Sequence, residues 1–198
     1  MSGSISQEVN AIKKTIVFAL ALLALIAASG SAQVGIGFTA GYPVGYAFYY
    51  QANYNELPDP SPIFWGATVK WKHSSLLIDS GIGFWGAGSA NLSYGYVDLG
   101  VSLDLWIFRF GLAGGLDMVN ISAPGYPSYA EFGPSVKTSL DLKLGPVTAG
   151  ASAAFPLDVF LAFLQQEDII SSEKFIRIFA GHVSLNVVYW FGDTNKAQ

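Results

Sequence analysis

Residues 136–155, VKTSLDLKLGPVTAGASAAF, carry an apolar register that reverses at a turn. Before the turn, Val136, Leu140, Leu142 and Leu144 fall on even positions, and Lys137, Ser139, Asp141 and Lys143 lie between them. After Gly145-Pro146 the apolar set moves to odd positions: Val147, Ala149, Ala151, Ala153 and Phe155. Thr148, Gly150, Ser152 and Ala154 become the small or polar set. A period of two is the strand period, because successive side chains leave a strand on opposite faces. Leu-Gly-Pro-Val is turn chemistry, so the stretch is a β-hairpin with both apolar sets on one side of the sheet. A soluble sheet gives the same pattern, so the rest of the chain must decide what that side faces.

Composition narrows the choice. The 198 residues are 52% hydrophobic and 15% aromatic but only 12% charged, against about 25% in an ordinary soluble domain. Mean hydropathy is +0.41. Without Cys, neither a disulfide framework nor a thiolate metal site can form. A net charge of −4 argues against nucleic acid as a partner. The long apolar run is TIVFALALLALIAA, residues 15–28, between Lys13-Lys14 and the small residues Ser29-Gly30-Ser31-Ala32. A basic flank, a short apolar core and a small-residue exit predict a helical secretory signal peptide over 1–32, cleaved after Ala32. The run is short of the roughly 20 residues of a spanning helix. The mature chain then starts at Gln33.

Eight strand patterns follow. The first is read from Val34 to Tyr50 as one strand kinked at Pro43, since even-numbered apolar residues continue through it. The others span about 63–73, 76–86, 94–105, 107–118, the two arms of the opening hairpin, and 175–191. Longer connections at 54–62, 87–93, 119–131 and 157–174 alternate with short ones near 74, 106 and 145. Eight antiparallel strands with long loops at one end and tight turns at the other predict an all-β, up-and-down transmembrane β-barrel over 33–192, with a polar tail at 193–198. One face of each strand is Leu, Val, Ile and Phe; the other is small, Gly-rich and sparsely charged, as a narrow lumen requires and a soluble surface does not. Two aromatic girdles are expected: Trp71, Trp106, Phe108, Tyr189, Trp190 and Phe191 by the short turns, and Trp65, Phe84, Trp85, Tyr94, Phe132 and Phe155 by the long loops.

The chain thus resembles the small eight-stranded outer-membrane barrels, the group that includes the membrane domain of outer-membrane protein A. The likeness covers residues 33–192 and is one of architecture. It implies an outer-membrane location, contact with outer-membrane lipid, and long loops free to meet a surface ligand. Barrels of this group usually end on an aromatic residue; here Phe191 is followed by GDTNKAQ.

Motifs with chemical meaning are few. Gly81-Ile-Gly83-Phe-Trp-Gly86 matches a dinucleotide fingerprint in letters but lacks the following helix. His73 has neither a second His nor a Cys near it, so no metal site is expected. Asn91-Leu-Ser93 and Asn120-Ile-Ser122 match the glycosylation sequon in predicted outer loops. Residues 157–174 have the apolar start and charged end of a short helix lying on the loop rim. His182 and Ser184 share a face of the last strand with Asn186 and are read as polar lumen residues. The lipid A deacylases, also eight-stranded barrels, use a His-x-Ser pair usually followed by Asn; here Leu185 intervenes, and Asp193 is the acid downstream. By strand position Lys70, Lys72, Asp79, Asp104, Arg109, Asp141 and Lys143 point inward near the short turns. Isolated buried charges are very costly, so these predict a connected layer, with Arg109 bridging Asp104 and Asp141, that plugs the lumen. The expected function is a structural or surface-interaction barrel, not an enzyme and without a cofactor. The alternatives are a narrow channel for small or hydrophobic solutes, a lipid-modifying hydrolase built on His182 and Ser184, and a soluble ligand-binding barrel.

Overall fold

The computed structural model describes residues 32–47, 51, 63–87, 90–125, 127–165 and 173–192. Residues 1–31 of the expected signal peptide and the tail 193–198 lie outside them. Eight strands form: β1 Ala32–Tyr42, β2 Phe64–His73, β3 Leu76–Ala87, β4 Ala90–Leu105, β5 Phe108–Ser122, β6 Tyr129–Leu144, β7 Val147–Pro156 and β8 His182–Phe191. Each pairs antiparallel with its sequence neighbour, and β1 pairs with β8, which closes the barrel. A helix α1, Leu157–Leu164, and a 3₁₀ helix, Glu173–Ala180, lie between β7 and β8. Among the described residues no helix is long and apolar enough to cross a membrane.

The alternation read from sequence becomes an inside and an outside. In β8 burial alternates residue by residue, with His182, Ser184, Asn186, Val188 and Trp190 inward and Val183, Leu185, Val187, Tyr189 and Phe191 outward. Leu99, Val101, Leu112 and Leu140 stand on the outer wall of β4, β5 and β6. Three two-residue turns, 74–75, 106–107 and 145–146, join strand pairs at one end. Ser74, Trp106 and Gly145 open them with φ of 55°, 53° and 67°. Positive φ there matches the right-handed strand twist, and Gly is the residue that adopts it freely. The second residue of each turn is tied to the next strand: Ser75 O accepts from Ser102 N, Ile107 O from Lys143 N, and Pro146 O from Trp190 N, at 2.7, 2.6 and 2.7 Å.

Four readings need correction. The first strand ends at Tyr42 instead of running to Tyr50. Its neighbours stop there, with Gly41 opposite Phe64 and Tyr42 opposite Val183, and Pro43 has no N–H to offer. A helical turn follows at 44–47. The last strand starts at His182, not 175; with no β1 partner beyond Val183, the preceding residues turn inward as the 3₁₀ helix, and Phe179 is buried rather than outward. The connection at 87–93 shrinks to residues 88–89, and that at 119–131 to 123–128, because the strands continue. Beyond the apolar belt the polarity of the wall inverts, with Leu92 and Tyr94 inward and Asn91 and Ser93 outward, so alternation persists in a form that reads as a loop. Finally, Trp85, Tyr94 and Trp190 are 3–4% exposed inside the barrel and belong to no girdle.

Candidate functional site: the charged lumen

Inward positions of every strand meet in the lumen, and its charges form three tiers. Nearest the turns, Asp104 of β4 is the hub. It accepts from Lys72 Nζ at 2.7 Å and from Arg109 Nε and Nη2 at 2.7 and 3.3 Å, with Lys143 Nζ at 3.8 Å. The Arg109 guanidinium lies 4.5 Å from the centre of the Trp190 ring, whose Nε1 donates to Thr148 Oγ1 at 3.0 Å. Deeper in, Asp79 of β3 is the second hub. Lys137 Nζ reaches it from β6 at 2.8 Å, Lys70 Nζ stands at 3.7 Å, and Thr68 Oγ1 and Tyr96 OH donate at 2.7 and 3.1 Å. Lys70 also pairs with Asp141 at 3.8 Å, and Ser135 Oγ donates to Asp98 Oδ1 at 3.3 Å. The third tier, at the loop end, is Arg177 of the 3₁₀ helix with Asp117 of β5 and Asp158 of α1. Burial pulls the Arg177 guanidinium down to about 10, so it stays charged at neutral pH.

No family profile and no curated sequence matches the chain. Solved structures do. The N-terminal β-barrel domain of Pseudomonas aeruginosa OprF matches with a TM-score of 0.51 at 11% identity, over 82% of this chain and 98% of that domain. Ail, the attachment invasion locus protein of Yersinia pestis, matches with a TM-score of 0.44 at 15% identity, over 82% of this chain and 99% of its own. Neisserial surface protein A matches with a TM-score of 0.44 at 11% identity, over 81% and 96%. The fold is that of the small outer-membrane β-barrels.

An outer-membrane barrel has an apolar belt about 25 Å tall. On β5 the outward apolar residues run from Phe108 to Met118 and give way to Asn120 and Ser122. Ten residues at about 3.3 Å, tilted about 40°, span about 25 Å. Inside the barrel, the expected bridge from Arg109 to both Asp104 and Asp141 is not what forms. Stacking on Trp190 and the fork geometry turn Arg109 to Asp104, while the ion pair of Asp141 is with Lys70. Arg109 Nη1 and Asp141 Oδ1 have no hydrogen-bond partner among the described residues. The seven residues named from sequence therefore divide between two hubs, with Lys70, Asp79 and Asp141 deeper than the turn-end cluster. Asp98, Asp117 and Lys137 fell on the inward parity of β4, β5 and β6, and parity alone could have added them. Arg177 fell on the outward parity of the expected last strand, so parity pointed it the wrong way; it lies in the 3₁₀ helix instead.

His182, Ser184 and Asn186 all face the lumen of the barrel and are at most 4% exposed. His182 Nδ1 is 2.8 Å from Ala180 O, with its ring between Phe64 and Tyr94 at 4.7 and 5.0 Å. Ser184 Oγ pairs with Ser152 Oγ at 2.9 Å, and Asn186 Nδ2 donates to the same Ser152 Oγ at 2.9 Å. The pair is thus engaged in two separate local networks. Phe64, Trp85, Leu92, Tyr94, Tyr96, Val119 and Phe179 form a largely aromatic cluster at the loop end, which His182 meets through the Phe64 and Tyr94 rings.

Proposed function

We propose that this chain is an outer-membrane barrel with a structural or surface-interaction role, exported with residues 1–32 as a cleaved signal peptide, and with a lumen closed to ions. The reading rests above all on the reach of Lys137 from β6 to Asp79 on β3, across the interior at 2.8 Å. Such an interior is only about wide enough for side chains to fill. Losing one partner of a buried ion pair costs about 3–5 kcal/mol, so the charges favour staying together over parting for ions. A narrow channel would need both hubs to separate. A catalytic role for His182 and Ser184 would need the two local networks to exchange, and the nucleophile would still face the lumen rather than lipid. Lipid contacts the outer wall, and a surface ligand would meet the loop end, where β4, β5 and β6 rise highest.

Planar-bilayer recordings on the full chain test this reading. Wild type should show no steady conductance. Arg109→Ala leaves Asp104 with its two Lys partners and should leak or melt earlier. Large, steady conductance in wild type that Arg109→Ala leaves unchanged would refute the closed lumen and promote the channel.

A further inference from the structure

Two segments outside the strands cover the loop-end mouth: the helical turn 44–47 after β1, and the 3₁₀ helix before β8. They meet backbone to backbone. Gly45 N donates to Gly181 O at 3.0 Å, and Gly181 N to Ile178 O at 3.1 Å. A side chain at Gly45 would run into the Ile178 carbonyl, so this approach requires Gly. Phe179 drops into the aromatic cluster, 5.7 Å from the Tyr46 ring. Among the described side chains of the segment, Arg177, which is 1% exposed, carries its polar ties to the barrel wall. It pairs with the Asp117 carboxylate and donates to Asp117 O at 3.4 Å on β5. It donates to Pro134 O at 3.0 Å on β6, and its Nε and Nη2 hold Asp158 of α1 at 3.3 and 3.2 Å.

We propose that the 3₁₀ helix is a stopper and Arg177 its latch, and that release of the latch opens the outer part of the lumen as a blind cup. Eight residues is long for a 3₁₀ helix, whose poor hydrogen-bond geometry usually limits it to three or four. Gly181 stands at the joint between it and β8. A buried ion pair gains little over apolar packing but costs much once a partner is lost, so closure is near all-or-none. Asp158, 23% exposed, is the solvent-facing member, and a change of charge there acts directly on the buried guanidinium. Below the stopper lies His182 in its aromatic collar, and below that the Asp79 hub. The stopper stands independently of the closed-lumen reading; the blindness of the cup rests on it.

The absence of Cys allows a direct test on the full chain. Ala154→Cys places a thiol in the upper lumen opposite His182, and Thr148→Cys one near the turns; both positions are 2% exposed. Labelling by a small membrane-impermeant methanethiosulfonate is timed in folded protein, with gel mobility confirming the fold. Adding Asp158→Asn should speed labelling at position 154 by about tenfold or more, as a local opening that loses one ion pair would, and leave position 148 unchanged. Asp158→Glu should keep labelling slow. Equal rates at position 154 with and without Asp158→Asn, or fast labelling before any latch change, would overturn the stopper. Acceleration at both positions would leave the stopper standing and bring down the closed-lumen reading instead.

Discussion

At the scale of single residues, neighbours one position apart live in different solvents. Leu140 stands on the outer wall, 45% exposed, and Ser139 beside it faces inward, against Gly111. Leu140→Arg should therefore cost about 2–4 kcal/mol near the midplane of a bilayer, through charge in hydrocarbon. Ser139→Arg should act through crowding: a hypothetical Cβ on Gly111 would already lie 2.5 Å from Ser139 Oγ. Urea titrations of the two variants folded into vesicles, run in thin and thick bilayers, separate the causes. The Leu140→Arg loss should grow with bilayer thickness and the Ser139→Arg loss should not; equal tolerance at both sites would contradict a membrane-facing wall. The sequence announced which face Ser139 and Leu140 take, because parity is a local property. It did not announce the partner of Arg109, because Trp190 and Asp104 come to it from different strands and their convergence depends on register.

At the scale of elements, the tight turns carry their own strain. Ser74 holds φ at 55° without the freedom of Gly, which the Gly145 turn has. A left-handed conformation costs an ordinary residue about 1–2 kcal/mol, part of which Gly returns as lost chain entropy. Ser74→Gly should thus leave stability unchanged or raise it by up to about 1 kcal/mol. Trp106→Gly relieves the same strain but removes an indole that is 85% exposed at the turn end, so its thermal midpoint should fall where that of Ser74→Gly does not. A fall for Ser74→Gly would mean the turn is not strained. Such turns were plain in the sequence, since the residues on both sides alternate cleanly. The elements that were misread lie at the other end. Pro43 interrupts no parity, yet it ends β1 because its neighbours end; Trp85, Leu92 and Tyr94 keep alternating, yet with the polar face outward. Both errors have one cause: a residue pattern records which face is apolar, and not where the surrounding medium or the adjacent strand changes.

At the scale of the whole molecule, the strands are unequal. β4, β5 and β6 are 16, 15 and 16 residues long, whereas β2, β7 and β8 are 10 each. The long three are consecutive hairpin partners, and the short ones flank the junction where the two ends of the chain meet at β1–β8. Height at the rim thus has a counterpart in time. Ladders open locally with free energies that follow the hydrogen bonds and packing each must break, and long-range closure forms after local pairing. Amide exchange of the folded chain should therefore be slowest in β4 and β5 and fastest in β7 and β8; uniform protection around the circumference would disprove this. Consecutive pairing is also the cheapest to assemble, so the long hairpins are built to arrive first and the short strands to dock last. The molecule then has a history as well as a shape: an early, durable half and a late, short-lived seam, through which it would both finish folding and begin to fail.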